Sequence, residues 1–308
     1  MRGTKVLARL LVLGLSCTWG WTASANAIWR PVQPGKRKGI SGLAFIQKQD
    51  QVCQFLAVHD NKGDEDQPRL AVLGVPSQGP ISYQALTWPT ESSLPLDLEA
   101  LASVPNTKTE YVAVTSLGVV YHLQLDLQTN TVKILHAAQL PPGKQLSNIE
   151  GFALQQMDNQ FIAVWAHRGQ DTDPAILFWG QYFPEQTKIT VKGSIPFQVP
   201  WPQQNVRHIS DLKIAPDGSL YITAASDPGN QGPFQSAVYG VGSFPFHQAK
   251  PRDVQQQAPS TLTPLYRFPF NKVEAIALIP GKDGGIFVAS DDEKFGSSLA
   301  GHCWAGPN

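Results

Sequence analysis

A six-residue phrase returns five times along this chain, and no other feature restricts the fold so tightly. It reads Ile40-Ser41-Gly42-Leu43-Ala44-Phe45, Leu98-Glu99-Ala100-Leu101-Ala102-Ser103 and Ile149-Glu150-Gly151-Phe152-Ala153-Leu154. It returns as Ile209-Ser210-Asp211-Leu212-Lys213-Ile214 and Val273-Glu274-Ala275-Ile276-Ala277-Leu278. The second positions, at 41, 99, 150, 210 and 274, are 58, 51, 60 and 64 residues apart. A repeat of roughly this length marks a solenoid or a propeller, in which equivalent residues of successive units meet in space.

Each phrase is followed by a turn and a second apolar run, such as Phe55-Leu56-Ala57-Val58, Tyr111-Val112-Ala113-Val114 or Ile286-Phe287-Val288-Ala289. β-Branched and aromatic residues bounded by Gly, Pro, Asn and Asp read as strands. Third and fourth strands are predicted at Arg69 to Val75 and Ser82 to Thr87, with counterparts in the next units. No segment carries a long helical apolar period. About four antiparallel strands per unit select an all-β, five-bladed β-propeller. Small residues (Gly42, Ala44, Ala100, Gly151, Ala275) fill one face of the phrase, and Leu43, Leu101, Phe152, Leu212 and Ile276 fill the other. That pairing lets the innermost strands of adjacent blades crowd together. Only 19 residues follow Ala289, so the last blade is incomplete by itself, and Ile28 to Val32 is expected to add an outer strand to it.

The first 27 residues read as a signal peptide. Arg2 and Lys5 make a positive start, Leu10 to Leu15 an apolar run, and Ala25-Asn26-Ala27 a cleavage site. The domain is then 28–308, exported to a periplasm, a thylakoid lumen or the exterior, with no membrane span. Arg2, Lys5 and Arg9 leave with the leader, so 21 basic residues face 24 acidic ones and the formal charge is −3. That balance argues against nucleic acid as a partner. Cys53 and Cys303 remain near opposite ends. In an oxidising compartment they form a bridge that clasps the ring or stay as two buried thiols.

Ser41, Glu99, Glu150, Ser210 and Glu274 begin the innermost strands and so converge on the axis. Gathered carboxylates repel and retain protons unless a cation sits among them. Calcium, which accepts six to eight oxygen ligands in loose geometry, suits such a ring; a water-filled channel with solvated acids is the alternative. The second strands end in His59 and Asp60, Ser116, His167 and Arg168, Ser226 and Asp227, and Asp291 and Asp292, which are expected to ring one mouth. Asp97, Asn148, His208 and Lys272 stand two residues before the axial ring and are expected beside it. Asp60, His167, Arg168 and Asp227 are the candidate catalytic set: His and Asp to activate water near a metal, Arg to hold an anion.

The order Ser, Glu, Glu, Ser, Glu resembles the calcium-activated nucleotidases, the soluble apyrases. Leu56 to Gly63 is similar to that family's strand ending Asp-Asp-Arg-Thr-Gly, with Asp60 and Gly63 matching, and Ala166-His167-Arg168 to its Pro-Arg-Arg stretch. The resemblance implies a five-bladed ring with one calcium held at the tunnel centre by the five axial residues. The Glu-Gly/Ala phrase also resembles the propellers of esterase-like phytases and strictosidine-synthase-like hydrolases. Two functions follow as expectations. One is a calcium-dependent hydrolase of a small anionic phosphate ester, phosphoanhydride or related ester, acting as a monomer. The other is a non-catalytic propeller that docks exported proteins.

Overall fold

A computed structural model describes residues 28–35, 38–62, 66–141, 147–157, 159–243, 261–281 and 284–301. The expected leader, Gly63 and Cys303 lie outside the described residues.

Twenty strands form five four-stranded antiparallel sheets. Blade one holds β2 (Gly42–Gln49), β3 (Val52–Val58), β4 (Leu70–Pro76) and β5 (Ser82–Leu86). Blade two holds β6 (Leu98–Ser103), β7 (Glu110–Thr115), β8 (Val119–Asp126) and β9 (Thr131–Gln139). Blade three holds β10 (Ile149–Met157), β11 (Gln160–His167), β12 (Ala175–Phe183) and β13 (Lys188–Phe197). Blade four holds β14 (Val206–Ile214), β15 (Ser219–Ser226), β16 (Ser236–Ser243) and β17 (Tyr266–Phe268). In blade five, β18 (Val273–Leu278), β19 (Ile286–Ser290) and β20 (Ser297–Ala300) come from the C-terminal side. Its fourth strand is β1 (Arg30–Gln33), paired antiparallel with β20. The C-terminal segment thus supplies only three strands, and the N-terminal one completes the blade.

Inner strands touch in a closed cycle: β2 meets β6, β6 meets β10, β10 meets β14, β14 meets β18, and β18 returns to β2. The apolar core is divided the same way. One buried cluster fills each seam, for example Leu56, Val58, Leu98 and Leu101 between blades one and two, and Phe55, Ala71, Phe287 and Leu299 between blades one and five. Cys53 is fully buried in that closing seam. The crowding explains the small residues of the repeat. A Cβ on Gly42 would stand 2.7 Å from the Val58 side chain and 2.9 Å from the Leu101 backbone nitrogen; one on Gly151 would stand 2.8 Å from the Leu212 side chain. Only glycine lets the neighbouring strand come so near.

Blade four breaks the pattern with Asp211, which is fully buried. Its carboxylate accepts from Lys213 Nζ at 2.7 and 2.8 Å and from the Ile276 backbone N–H of blade five at 2.9 Å. A charged pair there replaces the small residue and ties the seam by hydrogen bonds. No helix among the described residues is long and apolar enough to cross a membrane.

Candidate functional site at the channel mouth

The repeat builds the mouth through one backbone tie in each of blades two to five. The N–H of the residue just past the second strand donates to a carbonyl just before the first. Ser116 donates to Asp97 at 2.9 Å, Arg168 to Asn148 at 3.0 Å, and Asp291 to Lys272 at 2.9 Å. Asp97 and Asn148 have φ of 65° and 56°, a left-handed geometry that Asp and Asn tolerate best. The inner strand then bulges: pairing shifts between Leu98 and Ala100, Ile149 and Gly151, and Val273 and Ala275. Glu99, Glu150 and Glu274 are the extra residues of these bulges. A bulge takes one residue out of the ladder and re-aims its side chain.

In blade four the tie runs from Asp227 N–H to Asn205 O, at 2.8 Å. Asn205 has φ of 51° and lies five residues before Ser210 rather than two. The bulge spans Arg207 to Asp211. The residue at the tie is therefore Asn205, not His208 as the even spacing implied. His208 instead meets the Asp171 carbonyl at 2.8 Å through Nε2, while its Nδ1 accepts from Val199 N–H at 3.3 Å. The added residues bring in Arg207, which the repeat count missed.

Charge is divided unevenly around the mouth. On the side of blades three to five, Arg168 Nη1 donates to Glu150 Oε1 at 2.9 Å. Arg207 bridges Glu274 Oε1, at 2.7 Å, and Asp227. Lys272 Nζ lies 3.3 Å from Glu274 and 3.5 Å from Asp291, and also meets Glu293. On the side of blades one and two Lys62 lies 2.8 Å from Asp97, with its side chain 64% exposed. There one carboxylate oxygen each of Asp60, Asp97 and Glu99 lies within 4.8 Å of the others. Among the described residues, eight carboxylates (Asp60, Asp97, Glu99, Glu150, Asp227, Glu274, Asp291, Glu293) thus share four cations (Lys62, Arg168, Arg207, Lys272).

The titration behaviour follows that imbalance. Burial, then Glu274 and Asp97, push the Asp60 carboxyl up to about 6 against the pull of Lys62. Glu99 is held well above the usual range by burial and by Glu150, Asp97 and Asp60. Burial and Glu274 do the same to Asp291. Glu150 is raised by burial although Arg207 and Arg168 oppose it. Burial also presses Asp97 and Asp227 upward, but is outweighed. Hydrogen bonds from Glu99, Lys62 and Ser116 keep Asp97 low, and Arg207 and Lys272 keep Asp227 low.

The five axial residues divide into two kinds. All are buried. The three glutamates feel one another's charge or that of shared neighbours, and so converge. Ser210 Oγ turns aside to the Val273 carbonyl at 2.9 Å and to Thr223 Oγ1 at 3.0 Å. Ser41 Oγ is buried with no hydrogen-bond partner among the described residues. Of the four candidate catalytic residues, Asp60, Arg168 and Asp227 lie at the mouth. His167 sits beside them in sequence but turns to its own loop. Its Nδ1 accepts from Gly169 N–H at 3.2 Å; burial, then Arg168, lower its pKa, and Asp173 opposes.

Fold and site together define a five-bladed β-propeller with an acid-rich axial mouth. No protein-family profile matches the chain, and no curated protein matches it in sequence. Among solved structures, a GH43 endo-arabinanase from Bacillus licheniformis is 10% identical, with 88% of this chain and 94% of that one covered and a TM-score of 0.46. An endo-1,4-β-xylanase from Bacteroides thetaiotaomicron is 12% identical, with 84% and 87% covered and a TM-score of 0.46. A family AA12 carbohydrate-active enzyme from Trichoderma reesei is 12% identical, with 90% and 96% covered and a TM-score of 0.44. At these identities the likeness extends to the fold alone. Of the expected apyrase-like architecture, the strand order shows the five-bladed ring.

Proposed function

We propose that the mouth is a calcium-dependent hydrolytic site for a small anionic ester or phosphoanhydride, in a protein exported by its first 27 residues. The observation that carries this reading is the excess of carboxylates over cations where Asp60, Asp97 and Glu99 meet within 4.8 Å. An all-oxygen set of this kind suits a hard divalent cation. The unpartnered Ser41 Oγ, at the axial position of blade one, adds a neutral ligand. Glu150, Ser210 and Glu274 of the sequence-derived ring already have protein partners, which moves the preferred position off centre, toward blades one and two. Bound there, calcium supplies Lewis acidity toward the scissile group.

The remaining chemistry belongs to side chains. Arg168 gives one guanidinium nitrogen to Glu150 and keeps other N–H groups for an anionic oxygen. Asp227, kept ionised beside Arg207, takes the proton of the attacking water. Asp291, whose pKa burial and Glu274 raise against the pull of Lys272, gives a proton to the leaving oxygen. Water thus adds across the bond, and the proton taken up by Asp227 returns to Asp291 through solvent before the next turnover.

The test is calorimetric calcium titration combined with hydrolysis of nitrophenyl phosphate, nitrophenyl acetate and ATP, with and without chelator. Calcium binding lost in Asp60→Asn, and turnover lost in Arg168→Ala and Asp227→Asn, are expected. Turnover unchanged by chelator defeats the metal assignment, and absence of turnover on every ester defeats the enzyme. The docking alternative is favoured by one observation: Arg168, Arg207 and Lys272 already pair with Glu150 and Glu274, as they would in a plugged channel.

A further inference from the structure

Exposed apolar residues surround this charged mouth. Among the described residues, five large apolar side chains are more than half exposed, and four of these stand on mouth-side loops. They are Leu96 (55%), Leu117 (58%), Phe270 (76%) and Phe295 (61%). Each is within two residues of a group already placed there: Leu96 beside Asp97, Leu117 beside Ser116, Phe270 two before Lys272, and Phe295 two after Glu293. Single exposed apolar residues are ordinary; four on one face around one opening are the pattern of an interaction site. They belong to blades two and five and to the connections entering them, on both flanks of blade one. The same sector holds the clustered acids Asp60, Asp97 and Glu99, whereas the arginines line blades three and four.

We propose that this sector docks an extended polypeptide segment that inserts a lysine or arginine side chain among Asp60, Asp97 and Glu99 and packs flanking apolar residues on Leu96, Leu117, Phe270 and Phe295. A basic group answers the charge excess, and its apolar neighbours cover the rim. Lys62 does not block entry, because an exposed ion pair is weak and its side chain swings out at little cost. An anionic membrane is disfavoured by the same acids. The basic side chain and the proposed calcium compete for Asp60, Asp97 and Glu99, while the apolar rim takes part in no step of the reaction.

The experiment is selection from a random dodecapeptide display library on the full chain in chelator, so that its outcome does not depend on calcium. Enriched peptides are expected to carry Lys or Arg beside Leu, Ile, Phe or Trp. The best synthetic peptide, followed by fluorescence anisotropy, should bind at least about tenfold more weakly when its basic residue becomes Gln, a loss of about 1.4 kcal/mol. It should weaken as much on the L96S/L117S/F270S/F295S variant, whose melting curve serves as the folding control. The proposal is overturned by a selection that enriches nothing, or by enriched peptides without a basic residue. Binding indifferent to the four serines overturns it too. Rim-dependent binding to neutral phosphatidylcholine vesicles in place of peptides would assign the surface to lipid and overturn it as well.

Discussion

Replacing Arg207 by Met tests the charge arrangement most directly. The guanidinium is mostly buried, with 17% of the side chain exposed, and joins Glu274 of blade five to Asp227 of blade four. Burial works against its charge, but Glu274, Glu150, Asp227 and Glu99 hold it protonated beyond the normal range. Methionine preserves most of the length and removes the charge. Glu274 then keeps only Lys272, and Asp227 loses its nearest cation, while Glu150 and Glu99 remain close. Breaking a buried pair by removing one partner costs about 3–5 kcal/mol. Partial exposure favours the lower end, so about 3 kcal/mol is expected, measured as the change in urea midpoint at constant slope. The double variant Arg207→Met/Glu274→Gln removes the stranded carboxylate and should recover at least about 1 kcal/mol. The single variant should also regain stability between pH 7 and 5, as the stranded acids take up protons in the folded state. A loss below about 1 kcal/mol, or a double variant no more stable than the single, refutes this reasoning.

Three further outcomes follow from other parts of the ring. His59 is wholly buried with Nδ1 at the Gly39 carbonyl, 2.5 Å away, and Tyr83 Oη at Nε2, 3.0 Å away; burial lowers its pKa to about 4. A histidine held below its usual value of 6.5 stabilises above that value, and the contribution is lost as pH falls through about 4. It amounts to about 3 kcal/mol, so His59→Asn should flatten the fall in urea midpoint between pH 7 and 4; an unchanged profile contradicts the assignment. Gly151→Ala should cost about 1–3 kcal/mol through its clash with Leu212, whereas an alanine accepted without loss in thermal melting would mean that blades three and four can part. Ser210→Ala, which removes the hydrogen bond to the Val273 carbonyl, should cost about 1 kcal/mol and leave calcium titration unaltered.

How much of this was legible in the sequence depended on what each residue needed from its neighbours. The inner phrase was readable because small residues at Gly42 and Gly151 answer a backbone approach that recurs in every seam. Asp60, Arg168 and Asp227 were placed at the mouth because the second-strand ends keep step with one another in all blades. Arg207 was not, because the extra residues of blade four displace the tie to Asn205, and equal spacing cannot register a bulge. Ser210 departs from the expected ring as well. A short hydroxyl is satisfied by the nearest carbonyl, as Ser210 shows, whereas Glu274 reaches across to Arg207 of blade four. His167 differs from Arg168 by one place along a strand, and that step turns its imidazole away from the acids.

The pairing of β1 with β20 has a bearing on how the molecule comes to exist. Arg30 finds its partner only at Leu299, so a ribosome delivers the first strand long before anything can receive it. Through nearly all of synthesis β1 must wait as an orphan edge, and the wheel can lock only when the last strand is made. Contacts between such distant stretches form slowly. A tag fused just ahead of β1 would be drawn into that final step, and should slow maturation more than the same tag placed on any other loop.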